Sequence, residues 1–530
     1  MTLAQTSPRR TFPIRPASFD GFVRRQGTEL VDGSGSILLL RGVGLGNWML
    51  PEGYMWKFGD GAASPREIEA LFVGLAGPEA AAGFWRRFRE EFITERDIAE
   101  IAAAGFDHVR LPINARIIQD RSGAPIEAGY RLIDRLIEWC REHRLRVLLD
   151  LHGAPGGQTG TNIDDSPNNK PELFMVKEYR ERTIEVWQEL ARRYRDETVV
   201  LGYDLLNEPI PNEWQYRFQD ELVDLYKDLT RSIREIDQNH LIMYEGSHWA
   251  TNWALFTEVW DENSALQFHK YWSPADEASI AAFLETRERL RLPIYMGEGG
   301  EHNPEWLYAA FRLYESHGIG WNLWPWKKID TRTSPVSVVP PAGWDDVIAA
   351  IDGDLVDAAV AQRVLDDLVD AIAIDRCERR DDVLTAVLAD RPAVIPAWGY
   401  GFRGAGESYE ASGSSSVPGL RAADAVALRF AHDGEHPANP FEFRPGTPFA
   451  PDELIVADLE PGEWLEFEVS DETVAADYTA IGPAGNAVPA LVDRTARGLR
   501  VMAVAPLALA GLVREDSGHP LVALAGHGQG

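Results

Sequence analysis

Two short segments place a glutamate where an apolar run gives out. After "VVLGYD" the chain reads "LLNEP", with Asn207, Glu208 and Pro209 in succession, and the run "IYMGEGG" carries Glu298. An ionised carboxylate without a partner is costly to bury, so both glutamates are expected at the exits of strands. Two carboxylates facing each other across one site suit cleavage of a glycosidic bond. One protonates the departing oxygen, while the other attacks the anomeric carbon or activates water there. Other apolar runs end on groups that could serve the same site: Arg110, His152, His269 with Tyr271, and Trp324. Metal-assisted hydrolysis is the competing chemistry. No His-x-His or His/Asp cluster with ligand spacing accompanies the carboxylates, so a mechanism without metal or cofactor is expected.

Such residues need a scaffold that brings distant strand ends together. Eight short runs serve as strands: "ILLLRGVGL", "HVRLPI", "RVLLDLHG", "VVLGYDLL", "LIMYEG", "ALQFHKYW", "PIYMGEGG" and "GIGWNLWPW". Segments of helical period lie between them, including "LIDRLIEWCREH", "RTIEVWQELARRYRDE" and "PEWLYAAFRLYESHG". No Gly-rich phosphate loop follows the first strand, so the pattern predicts an α/β fold, a (β/α)8 TIM barrel, rather than an open doubly wound sheet. In such a barrel the carboxyl ends of the strands face the active site.

The rhythm changes near residue 385. One more helix is expected in "DLVDAAVAQRVLDDLVDAIAI", packed outside the barrel, and a Gly-, Pro- and Ser-rich stretch follows. Beyond it come short alternating runs. In "EWLEFEVS", Leu465, Phe467 and Val469 share one face, with Glu466 and Glu468 on the other. The expectation is a catalytic barrel over 1–385 and a small all-β sandwich over 386–530. Tyr409 and Trp398 are candidate sugar-stacking residues there, with core packing as the alternative.

The 530 residues carry 52 Lys and Arg against 83 Asp and Glu, a formal charge of −31. That balance disfavours nucleic acid and anionic membrane surfaces as partners and leaves neutral ligands open. Two cysteines, Cys140 and Cys377, give no disulfide framework. "SPRRTF" near the start faintly suggests a twin-arginine signal, but no apolar segment follows. The apolar run "VMAVAPLALAGLV" is too short to span a bilayer and contains Pro506. A soluble, cytoplasmic chain is expected.

Taken in order, "VRLPIN", "LDLHGAPGGQTG", "LLNEP", "FHKYW", "IYMGEGG" and "GWNLWPWK" resemble the strands of family 5 glycoside hydrolases of clan A. The resemblance spans about residues 37 to 330. It implies Glu208 as general acid/base, Glu298 as nucleophile and Asn207 as partner of the sugar 2-hydroxyl. It further implies that Arg110 and Tyr271 bond the nucleophile and keep it ionised, that His152 and His269 line the sugar subsite, and that Trp324 forms its apolar floor. "HGAPGGQTG" and "GNWMLPE" are similar to the exo-β-1,3-glucanase and β-glucosidase branch, which implies a sugar-recognising role for Glu52. Gly299 departs from that branch, where an aromatic residue often follows the nucleophile. The tail segment "LEPGEWLEFEV" resembles family 6-related carbohydrate-binding modules in fold, which by itself does not establish binding.

The expected activity is therefore that of a retaining, exo-acting β-glycosidase on β-glucosides or β-glucan oligosaccharides. Trp249 and Trp253 are expected to wall off one end of its pocket. A β-mannosidase, a disaccharide-releasing enzyme and an endo-acting β-glycanase are the alternatives. A catalytically dead sugar-binding protein or a scaffold would be favoured by loss of either glutamate, and both are present.

Overall fold

The structure, a computed structural model, describes residues 21–59, 61–161 and 164–518. The paired arginines near the start lie outside the described residues. Eight parallel strands close into a barrel: β1 (Arg41–Gly44), β2 (His108–Asn114), β3 (Arg146–Gly153), β4 (Val200–Asp204), β5 (Leu241–Glu245), β6 (Ser264–His269), β7 (Ile294–Gly300) and β8 (Gly320–Trp324). Each coincides with one of the eight runs read from the sequence, β2 and β6 extending one residue beyond theirs, to Asn114 and Ser264. The first run splits: Ile37–Leu38 pairs instead with an antiparallel flap formed by Arg24–Gln26 and Glu29–Val31. That flap plugs the amino-terminal end of the barrel, where Val23, Leu30 and Leu40 pack on Leu148, Met243 and Tyr295.

Side chains at every second position of a strand share a face, so a strand entering from this plug rises into the site in two-residue steps. On β3 the order is Leu148, Asp150, His152, and on β6 it is Ala265, Gln267, His269. An apolar floor thus gives way to buried polar layers at the carboxyl ends.

Helices α1 (Pro65–Ala76), α2 (Pro78–Glu91) and α3 (Glu95–Ala104) lie between β1 and β2, a stretch the sequence reading left unassigned. The α1 and α3 helices begin with capping boxes, Ser64 with Glu67 and Thr94 with Asp97, which satisfy otherwise orphaned N–H groups. The outer helices that follow are α4 (Glu127–Glu142), α5 (Lys177–Tyr194), α6 (Gln219–Arg234), α7 (Ala281–Leu290) and α8 (Pro304–Ser316). The extra helix is α9 (Ala358–Ala371), and it packs on α1 and α2 outside the barrel as expected.

Residue 385 falls inside α10 (Asp381–Leu388), which packs against α8. Small antiparallel sheets follow from Val394, and together they form the sandwich. Leu465, Phe467 and Val469 point into its core, but Glu466 is also buried. Arg500 explains the difference: its guanidinium donates to Glu466 and stacks on Trp464 at 3.7 Å, covering the carboxylate. Trp398 and Tyr409 are buried too, Trp398 against Phe441 and Phe449, so neither is a sugar platform. Among the described residues no helix is long and apolar enough to cross a membrane.

Candidate active site

The local sequence explains how Glu208 and Glu298 reach one place. Glu208 follows β4 in the left-handed region, φ 43°, a conformation costly for a residue with a Cβ. Glu245 at the end of β5 holds it there by accepting its backbone N–H at 2.7 Å. On β7 the pairing with β6 slips between Met296 and Glu298, and a bulge of this kind re-aims the side chains beside it. Gly297 makes the slip possible, because a Cβ there would lie 2.2 Å from the Gln267 side chain. Gly299 is likewise required: a Cβ would come within 2.9 Å of the Lys270 carbonyl and the Met296 sulfur. An aromatic side chain does not fit this backbone, which accounts for the departure noted above.

Arg110 is the hub. Its fully buried guanidinium donates to Glu298 Oε1, to Asp204 Oδ2 at 2.9 Å, to Asn207 Oδ1 at 2.8 Å and to Glu245 Oε1 at 3.1 Å, with Asp150 Oδ2 at 3.2 Å. Tyr271 donates to the other Glu298 oxygen at 3.0 Å. The ring of His269 meets Glu208 Oε1 at 2.8 Å through Nδ1 and Glu245 Oε1 at 3.3 Å through Nε2. Gln267 donates to Asp204 and Glu245. One ligand atom from each of Glu208, His269 and Glu298 lies within 4.8 Å of the others.

Four carboxylates thus share one guanidinium, and this changes the expectation for Glu298. Burial raises its pKa, and the Glu208 charge adds to the rise. The His269 and Arg110 charges oppose it without overcoming it. The sequence reading has Arg110 and Tyr271 keeping Glu298 ionised with a lowered pKa; the net direction is upward, because burial, with the Glu208 charge, outweighs the His269 and Arg110 charges. Burial also pushes Asp150 up to about 8 and raises Asp204. His269 moves the other way from an ordinary buried imidazole. Burial opposes its charge, but Glu245 and Glu298, with hydrogen bonds to Glu208 and Glu245, raise its pKa well above the usual value. The triad Glu208, His269 and Glu298 has spacing that could hold a metal ion. The same groups are joined by the His269 to Glu208 hydrogen bond, an arrangement that also suits proton transfer.

The other predicted residues gather on one flank. His152 stacks on Trp324 with ring centres 5.4 Å apart and nearly parallel planes. Asp150 bonds its Nδ1 at 2.7 Å, and burial lowers its pKa to about 4. Its Nε2 faces Asn207 Nδ2 at 3.2 Å and Glu52 Oε1 at 4.0 Å. Glu52 is buried, and its Oε1 has no hydrogen-bond partner. Beyond it, Tyr54 accepts from the Trp324 indole at 2.9 Å, and Lys328 lies 5.3 Å over the Tyr54 ring while pairing with Glu301. Trp253 does not join them. It is buried against Phe256, Phe268 and Phe283 and so does not wall the pocket.

The structure therefore brings together all nine residues picked from the sequence: Glu52, Arg110, His152, Asn207, Glu208, His269, Tyr271, Glu298 and Trp324. It adds Asp150, Asp204, Glu245 and Gln267 beneath them. Asp150 and Gln267 stand two residues before a predicted site residue on the same strand, and Asp204 and Glu245 end β4 and β5. A polar residue in step with inward neighbours was the available signal.

Comparison with known proteins follows the same lines. Residues 72–330 match the family model described as Cellulase (glycosyl hydrolase family 5). A β-xylosidase of Phanerodontia chrysosporium is 28% identical over 347 residues, covering 58% of this chain and 71% of the relative. Cellodextrinase A of Ruminococcus flavefaciens is 30% identical over 285 residues, covering 47% and 82%. A probable glucan 1,3-β-glucosidase A of Emericella nidulans is 33% identical over 237 residues, covering 44% and 57%.

Proposed function

This chain belongs to glycosyl hydrolase family 5 and is a glycoside hydrolase; from that premise we propose that it is a retaining, exo-acting β-glycosidase releasing a terminal sugar from β-glucosides or β-glucan oligosaccharides. In this reading Glu298 attacks the anomeric carbon, forming a glycosyl ester as the glycosidic C–O bond breaks. Glu208, hydrogen-bonded to His269, gives its proton to the leaving oxygen. It then takes a proton from the water that attacks the same carbon and frees Glu298. The close approach of the two glutamates supports retention, because retaining pairs stand about 5–5.5 Å apart and inverting pairs leave room for a water. Asn207 has its carbonyl oxygen fixed by Arg110, which leaves Nδ2 as a donor to the sugar 2-hydroxyl. Trp324 offers its ring as the floor of the subsite.

The observation that carries the exo reading is the enclosure of Glu52. Its Oε1, buried and without a hydrogen-bond partner, is an acceptor for a sugar hydroxyl, and the charges of Glu301 and Lys328 lie close enough to act on it. An internal sugar unit, substituted where a terminal one has hydroxyls, would leave such buried partners unpaired, and sites of this kind reject mismatches strongly. The relatives' names, β-xylosidase, cellodextrinase and glucan 1,3-β-glucosidase, fit a β-linked substrate. The test is chromatography of early products from a reduced β-linked oligosaccharide. Release of one small unit at a time supports the proposal. A spread of intermediate lengths replaces it with an endo-acting β-glycanase of the same family.

A further inference from the structure

The sandwich does not merely sit beside the barrel. Its loop over 434–449 crosses the loops that follow β6, β7 and β8, all on the catalytic face. Asn439 donates to the Trp272 carbonyl at 2.8 Å, Asn303 donates to the Thr447 carbonyl at 3.2 Å, and Gly446 packs so close to Arg332 that a Cβ would lie 2.5 Å from its side chain. The loop is pinned by Phe441 and Phe449, both buried against Trp398. Phe443, between them, is not: it is 53% exposed and meets the ring of Trp272 edge-on at 5.3 Å. Trp272 is itself 38% exposed, and its ring lies 5.6 Å from that of Tyr271, the donor to Glu298. Its indole N–H is satisfied by the Glu301 carbonyl, so the ring's orientation is fixed. Two exposed aromatic rings, in contact with each other beside Tyr271 and supplied by two different parts of the chain, form an apolar lip at the rim of the buried polar site.

We propose that Phe443, delivered by the sandwich, and Trp272 form the wall of the leaving-group subsite, and that this wall takes an apolar aglycone, an alkyl or aryl group, attached to the terminal sugar. The inference rests on the pocket reading of the site. If the terminal sugar fills the buried polar part, the portion of the substrate that reaches exposed rim residues is the portion that departs. Aromatic rings offer such a group a large apolar contact area at little cost in conformational freedom.

The test uses the full chain and alkyl β-glucosides from methyl to octyl. In the wild type kcat/KM should rise with chain length. In Phe443→Ala the octyl-to-methyl ratio of kcat/KM should fall about 10-fold, the scale of lost apolar contact at a partly exposed aromatic, and Phe443→Leu should restore part of it. Phe443 is half exposed, so an unchanged thermal midpoint is expected and serves as the folding control. A structural role would lower every substrate alike and leave the ratio where it was. An unchanged ratio in an otherwise active variant overturns the inference alone. A wild type that cleaves no member of the series overturns the reading of function, and this inference with it.

Discussion

At the scale of residues, the site is an argument about one cation shared among too many anions. Arg110 bonds Glu298 while also serving Asp204, Glu245 and Asp150, yet burial outweighs it and holds the carboxyl of Glu298 above its usual pKa. A protonated nucleophile cannot attack. The rate should accordingly be present above the Glu298 pKa and be lost as pH falls through it. Tyr271→Phe removes a hydrogen bond to the charged form. Such bonds contribute about 1.5–3 kcal/mol, which at about 1.4 kcal/mol per pK unit moves the acid limb of kcat/KM up by about one to two units. A pH–rate profile that keeps its acid limb in place would show that Tyr271 does not act on the nucleophile. Glu298→Gln keeps the shape of the side chain and should lower kcat by about 10⁴-fold or more, with the circular dichroism spectrum unchanged. Both glutamates were legible in the sequence because a carboxylate just past an apolar run has few comfortable places. The charges beneath them were less so. Asp150, Asp204 and Glu245 lie within or at the end of apolar runs, and only the closed barrel shows that all three point at one guanidinium.

At the scale of elements, the strands were readable because each is a short apolar run bounded by turns or by helical period. The three helices between β1 and β2 were missed, although α1 and α3 carry capping boxes, because they add to the simple alternation of strand and helix. Their attachment depends on a buried ion pair. Lys327, just past β8, pairs with Asp97 of α3 at 2.6 Å, and both side chains are wholly buried. Lys327 also donates to the carbonyls of Phe92 and Ile372, while Asp97 accepts from Trp326 and caps α3 through Thr94. Removing one partner leaves an uncompensated buried charge. Lys327→Met should therefore cost about 3–5 kcal/mol of stability in denaturant melts, and Asp97→Asn added to it should recover part of that loss. If Lys327→Met melts like the wild type, the pair does not hold these elements together.

At the scale of the whole molecule, the barrel and the sandwich share α8. Of its thirteen residues, all but Glu315 are buried, and a helix buried all round must be covered on both sides. The barrel covers one side. The other meets α10 and the sandwich, through the bond from Tyr308 to the Glu468 carbonyl at 2.9 Å and from Arg312 to the Val387 carbonyl at 2.8 Å. A chain ending near residue 390 exposes that face, so its thermal midpoint should drop sharply and it should bind a hydrophobic dye. A truncated chain as stable as the full one would mean that the barrel needs no cover there. Composition and alternation announced a second all-β region, but nothing local in the sequence tells that Phe443 reaches the catalytic face, since the contact joins Trp272 to a residue far along the chain.

The account as a whole stands on Glu298 forming a covalent bond to the sugar, and mass spectrometry measures that bond directly. Incubation with a 2-deoxy-2-fluoro-β-glucoside bearing an activated leaving group slows both steps, but the activated group lets the first proceed, so the glycosyl-enzyme accumulates. The account predicts a single added fluoro-sugar on the proteolytic peptide that contains Glu298, with none in Glu298→Gln. An adduct on a different carboxylate, or steady turnover of the fluoro-sugar with no adduct at any time, would contradict it.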